Sequence, residues 1–328
     1  MLDDSTTHGF LDDILADVHY APPVTEGDIP EIECDVAPKE LPDGHVMHGY
    51  RILHTLGMGG FGLTYLAEEK ALARQVVLKE NFPSSYCHRQ SGTLDVVVTN
   101  PELSSDIFNW AHNNFMREAR LLASLDHPYI ARVYAFFEAH GTSYYATEYV
   151  DGKSLADVAA DYAAHGMPIP QEALLGVLVR LLDAMDYLHA RELLHRDIKP
   201  DNILINHRGM PVLIDFGAAR EDHGDVESGV VESVGFSPAE QSKADGNMGP
   251  WTDLYALGAT FYYILTGSCL PEGRQRELYD MADTLAEQEK LLKVYDVRLL
   301  KSIDRSIRPQ ISDRYQSAAE WLADLRID

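Results

Sequence analysis

The sequence predicts an α+β fold in two halves, a small strand-rich one followed by a larger helical one. Three observations carry this. Between residues 50 and 80, YRILHTLG, LTYLAEE and QVVLKE read as strands, the first two flanking a glycine-rich turn. From residue 171, QEALLGVLVRLLDAMDYLHA repeats Leu174, Leu178, Leu181, Met185 and Leu188 at helical spacing behind Pro170. Between these patterns, Asp151-Gly152 interrupts both.

The elements divide into residues 1–46, 47–150 and 151–328. Residues 1–46 carry twelve Asp or Glu against one Lys, with Pro22, Pro23, Pro30, Pro38 and Pro42, and read as a flexible acidic tail. Inside it, residues 10–18 place Phe10, Leu11, Ile14, Leu15 and Val18 at helical spacing. Two readings stand: a transient helix, or a docking helix for this domain or for a partner. In the second segment, an insertion over 81–110 follows the third strand, with a hairpin expected around Ser91-Gly92. NNFMREARLLASL is then a helix, and VYAFFEA and SYYATEYV are strands flanking Gly141. In the third segment, WTDLYALGATFYYILTG and SAAEWLADL are the later helices.

A net charge of −25 excludes a basic nucleic-acid surface and disfavours anionic membranes. Cys34, Cys87 and Cys269 are odd in number and far apart, with no CxxC spacing. A disulfide framework or a zinc site is therefore not expected, and a reducing, cytoplasmic location fits. MLDDSTTHGFLDDILADVHY has no basic start or long apolar core, so it is not read as a signal peptide. The apolar stretches near 255–267 and 173–182 are too short or interrupted to cross a bilayer.

The chemistry-bearing residues fall into three groups. GMGGFG, residues 57–62, lies between two strands, which favours a hairpin lid whose backbone N–H groups approach phosphates over a strand-to-helix dinucleotide turn. Lys79 ends the strand VVLK, and Glu118 falls on the apolar face made by Phe115, Leu122 and Leu125. A carboxylate in an apolar stripe needs a partner, and Lys79 is the candidate. HRDIKPDN, residues 195–202, follows the long helix. There, Asp197 can accept or orient a hydroxyl proton, Lys199 can neutralise phosphoryl charge, and Asn202 offers a hard oxygen for magnesium. ILI and VLI then form a hairpin through NHRG, leading to Asp215 in IDFG, which can share that cation with Asn202.

In this ordered set the chain resembles a protein kinase, specifically the eukaryotic-like Ser/Thr kinases of bacteria, over about Tyr50 to Leu325. The wording GGFGLTYLA, LKENFP and GFSPAEQ is similar to that branch. The resemblance implies a two-lobed fold, a strand-rich N-lobe with one main helix and a helical C-lobe. It implies transfer of the γ-phosphoryl of ATP, with Mg2+ (or Mn2+ in its place), to Ser/Thr hydroxyls of protein substrates, this chain among them. The nucleotide would meet Leu56, Gly57, Gly59, Gly60, Gly62, Thr64, Val77, Lys79, Glu148, Val150 and Leu204, with Thr147 behind the adenine. Val77 stands where the family has Ala and Thr64 where it has Val, so the adenine roof is narrower. Glu240 and Arg314 match the family's buried pair, Asp253 matches the aspartate that braces the catalytic loop, and Ser233 takes a substrate-loop Thr position.

Residues 221–233 match the family's activation loop, with Ser228 as the clearest phosphoacceptor and Arg196 as the partner of a loop phosphate. The loop already carries Glu221, Asp222, Asp225, Glu227 and Glu232, so an acid can meet Arg196 without phosphorylation. Two competing readings share the fold: a scaffold without catalysis, and a kinase of small molecules. Lys79, Asp197, Asn202 and Asp215 are all present, which argues against the first. The Glu240–Arg314 pair and VGFSPAE argue against the second.

Overall fold

The computed structural model describes residues 38–216, 220–221, 233–243, 246–280 and 282–325, all within one unit, Ala37–Asp328. The stretch 10–18 and Ser228 lie outside the described residues, as do Gly217 and the side chain of Glu221.

The first elements are β1 (Val46–Met47), β2 (Tyr50–Met58), β3 (Gly62–Glu69), β4 (Arg74–Asn81), β5 (Cys87–Arg89), β6 (Val96–Val98), α1 (Pro101–Ala123), β7 (Val133–Ala139) and β8 (Thr142–Glu148). Six of the strands form one antiparallel sheet in the order β1-β2-β3-β4-β8-β7. Strand alternation explains its core. Leu63, Tyr65 and Ala67 of β3 and Val76 and Leu78 of β4 all point inward and are buried.

The insertion departs from expectation. A hairpin does form, β5 with β6, and its turn holds Ser91-Gly92. The helix expected from residue 113, however, begins at Pro101. Pro in the first turn has a preset φ and lacks an N–H that would be unsatisfied there anyway, and Glu102 favours the helix N-terminus. Residues 101–110 are therefore helix, not part of the insertion.

The second half contains β9 (Gly152–Ser154), α2 (Leu155–Ala164), α3 (Gln171–His189), β10 (Leu193–Leu194), β11 (Ile203–Asn206), β12 (Pro211–Leu213) and β13 (Arg220–Glu221). After these come α4 (Pro250–Thr266), α5 (Gly273–Leu278), α6 (Glu289–Leu292), α7 (Val297–Ser306) and α8 (Ala318–Leu325). The five apolar residues expected along α3 are all buried. Packing pairs α4 with α7 and α3 with α8. Gly258 permits the first, because a Cβ there would collide with Ser306 of α7. The expected β11–β12 hairpin forms and gains a third strand, β9. Helices α2, α5, α6 and α7 were not anticipated, being short elements whose burial depends on tertiary packing. Among the described residues, no helix is long and apolar enough to cross a membrane.

A buried ion pair closes this half. Arg314 Nη1 lies 2.6 Å from Glu240 Oε1, and Arg314 also donates to the carbonyls of Arg308 and Pro309. Arg314→Met would strand the Glu240 charge in the interior, so a loss of about 3–5 kcal/mol is expected, read by urea denaturation. A loss below 1 kcal/mol would contradict this account.

Candidate active site

Strand β4 delivers Lys79 to the space between the halves. Its Nζ lies 2.7 Å from Asp215 Oδ1 and 3.6 Å from Glu118 Oε1. Register sets the second of these neighbours: Lys79 pairs with Tyr145 across β4–β8, and the Tyr145 hydroxyl donates to Glu118 Oε1 at 2.6 Å. Burial opposes the charge on Lys79, but Tyr145, Asp215 and Glu118 outweigh it and hold the amine's pKa well above its ordinary value. For Glu118, burial pushes the pKa up, and Lys79 and Tyr145 only partly offset it.

The loop after α3 carries the second group. Asp197 is gripped by three donors: Lys199 Nζ at 2.9 Å, Ser233 Oγ at 2.6 Å and Asn202 Nδ2 at 2.8 Å. Lys199 also reaches Ser233 Oγ at 3.2 Å. Asp253 of α4 holds the loop backbone from below, accepting the N–H groups of His195 and Arg196, both at 2.9 Å. His189 Nε2 lies 3.0 Å from the same carboxylate. Burial works against the Asp253 charge. The His189 hydrogen bond and charge, His195 and the Arg196 amide outweigh it and keep its pKa below the ordinary value.

Arg196 and Asp215 both have left-handed backbones, φ +65° and +64°. Neither is Gly, and each such residue costs on the order of 1–2 kcal/mol, a strain found preferentially at functional sites. Phe216, next to Asp215, is buried against the His195 ring at 4.3 Å between centroids. The Ile214 N–H donates to the Asn202 carbonyl at 3.0 Å, so the backbone brings the Asn202 and Asp215 segments together.

Over this cleft, Gly59 N–H donates to Gly62 O at 2.8 Å, closing the β2–β3 turn. Gly62 is required by packing, since a Cβ there would lie 2.8 Å from the Glu80 carbonyl. Gly57 and Gly60 have open space where a Cβ would be, so the chain's own packing does not demand glycine at those two positions. Bare backbone there suits close approach of a ligand. Val77 pairs with Thr147 across β4–β8, and Val150 and Leu204 share one apolar cluster with Ala131, Val212 and Ile214. Leu56 is exposed and Thr64 half-buried. The Glu148 N–H is taken by the Arg132 carbonyl at 2.8 Å.

The residues Asn202 and Asp215 suit a cation that keeps most of its ligands from elsewhere. Among the described residues, no cluster of three or more His, Cys, Asp or Glu could hold a metal alone. Magnesium at a nucleotide uses one or two protein oxygens plus phosphates and water, which two such residues match.

Sequence reasoning missed Tyr145, His189 and Gln241, whose Nε2 donates to the Arg196 carbonyl at 2.7 Å. Strand alternation on SYYATEYV could have paired Tyr145 with Lys79. Nothing local in the sequence marks His189 or Gln241.

Residues 50–325 match the protein kinase domain. The chain belongs to the protein kinase family. Over 291 residues it is 33% identical to serine/threonine-protein kinase PknA of Nostoc sp. (strain PCC 7120), covering 85% of this chain and 47% of PknA. Serine/threonine-protein kinase C of Synechocystis sp. (strain PCC 6803) is 32% identical over 84% of this chain and 49% of its own length. The chain thus spans about half the length of these curated relatives. Among solved structures, the PpkA-294 apo form is 33% identical with a TM-score of 0.77, covering 88% of this chain and 100% of that one. These relatives place it with the eukaryotic-like Ser/Thr kinases of bacteria, and the strand-rich N-lobe and helical C-lobe are those of the family.

Asp253→Asn keeps the volume and removes the charge that two loop amides use. A loss of about 2–3 kcal/mol at pH 7 is expected by urea denaturation. Because the folded pKa of Asp253 is depressed, its contribution is present above the unfolded value, near 3.8, and fades as pH falls through the folded one. The wild-type advantage should therefore shrink as pH falls below about 4, and an advantage that stays constant there would contradict the assignment.

Proposed function

We infer that this domain is an ATP- and Mg2+-dependent protein serine/threonine kinase that phosphorylates protein substrates and itself. The single observation that carries this is the 2.7 Å approach of Lys79, from the small half, to Asp215, from the large half, with Glu118 behind. A phosphate oxygen would take the place of the Asp215 carboxylate on Lys79 when nucleotide binds.

On this reading the β2–β3 turn covers the triphosphate with backbone N–H groups of Gly57–Gly62. Lys79, steadied by Glu118, binds the α/β-phosphates. Adenine lies between Val77, Leu56 and Leu204, against the backbone at Glu148 and Val150. Asn202 and Asp215 would hold magnesium, which when bound neutralises charge on the β/γ oxygens. Asp197, fixed by its three donors, orients the substrate hydroxyl and takes its proton. Lys199 neutralises the transferring phosphoryl group, and Ser233 holds both side chains in place. Arg196 and Ser228 remain the proposed regulatory pair. A cytoplasmic location is proposed from Cys87 and Cys269, both free thiols.

Incubation with radiolabelled ATP and magnesium, alone and with a generic basic protein, tests this. Wild type should label itself and the protein. Asp197→Asn should lower the rate by at least about a hundredfold, the usual scale of general-base catalysis. Label confined to a small molecule, or an active Asp197→Asn, would contradict the reading. Ser228→Ala should keep basal activity, since the loop carries its own acids. Complete loss would remove that part of the proposal.

A further inference from the structure

A fully buried ion pair lies beside the Lys79–Glu118 pair and takes no part in the chemistry above. Glu80 follows Lys79 on β4 and so faces the opposite side of the sheet. Its side chain and that of Arg89, from β5 of the insertion, are both fully buried, with Arg89 Nη2 2.8 Å from each Glu80 oxygen. Tyr65 of β3 and Tyr144 of β8 donate their hydroxyls to the same carboxylate at 2.6 and 2.5 Å. The other donors of Arg89 reach the carbonyls of Lys39 at 2.9 Å and Leu94 at 2.8 Å. The Glu80 carboxylate thus ties β3, β4 and β8 to the insertion, and Arg89 ties the insertion to the segment before β1.

Two features connect this cluster to the cleft. Across β4–β8, Glu80 pairs with Tyr144 and Lys79 with Tyr145, adjacent rungs of one ladder. The Glu80 rung holds the insertion, and the Lys79 rung holds Glu118 through the Tyr145 hydroxyl. The insertion also runs directly into the helix that bears Glu118. β6 ends at Val98, Thr99 N–H donates to the Tyr86 carbonyl at 3.0 Å, and α1 starts at Pro101. The neighbour of Lys79 on β4 is thus held by this hairpin, and the helix that bears Glu118 starts where the hairpin ends. A buried ion pair is weak as a stabiliser, since an apolar replacement of similar volume is often as good. Its fixed geometry is what an apolar pair would not reproduce.

We propose that Arg89 is a positioning residue for phosphoryl transfer. Through Glu80 and the β4–β8 ladder it holds Lys79 and Glu118 in their paired arrangement, and this is the role of the insertion. The proposal rests on the kinase reading above. The test is a double-mutant cycle of kcat/KM for ATP in Arg89→Met, Glu118→Gln and both together, in variants shown folded by circular dichroism. Arg89→Met should lose at least tenfold, and the double variant should be no worse than Glu118→Gln within about twofold, because Arg89 acts only through that pair. Losses that multiply would show a merely structural role and overturn the proposal, as would Arg89→Met with wild-type activity. Should Arg89→Met not fold, Tyr144→Phe, which keeps the ring, replaces it. Should Glu118→Gln fall below detection, Tyr145→Phe takes its place. An inactive wild type would sink the kinase reading itself, a separate result.

Discussion

The ion pair between Lys79 and Asp215 is the constraint on which the rest depends. It joins a strand of one half to the end of a short strand in the other, 136 residues apart in sequence. Lys79 is largely buried, while the Asp215 side chain is 46% exposed to the cleft. A buried amine is costly without an anion beside it. The surrounding groups answer that cost with Asp215, Glu118 and the Tyr145 ring, whose centroid lies 5.7 Å from Nζ. Together these groups keep the lysine charged.

Rigidity around this pair comes from buried polar contacts more than from the strands alone. Asp253 holds the loop that carries Asp197 by two backbone N–H groups, which lets Arg196 keep its left-handed conformation. Glu240 and Arg314 fix the segment after the loop, and the small half has its own counterpart in Glu80 and Arg89. In each case a carboxylate with several donors sits where a slack apolar contact would let a catalytic group drift. Drift of an ångström is enough to cost a large part of catalysis by positioning.

Much of this arrangement was legible in the sequence, for a physical reason. On the kinase reading, Lys79, Asp197, Asn202 and Asp215 would act through chemistry that only their side-chain types supply, at spacings set by a strand end, a loop and a hairpin. Glu118 was legible because a carboxylate inside an apolar helix face demands a partner. The expected strand pattern also held, because alternation along β3 and β4 reports directly which face is buried. What stayed hidden depends on contacts between distant segments. Tyr145 and His189 look like ordinary core-edge residues until register and packing bring them to Glu118 and Asp253. Helix α1 begins at Pro101, where Asn100-Pro101-Glu102 carries a helix-start signal, and not near residue 113. Glu80 and Arg89 are nine residues apart, and nothing in the linear order says that a hairpin will fold one back upon the other.

The most direct measurement is a crystal structure of this domain with magnesium and a non-hydrolysable ATP analogue. The account predicts Lys79 Nζ within about 3.2 Å of an α- or β-phosphate oxygen, still beside Glu118, with Asn202 and Asp215 on the metal. A triphosphate bound elsewhere, or one seated in the cleft while Lys79 stays on Asp215, would contradict it.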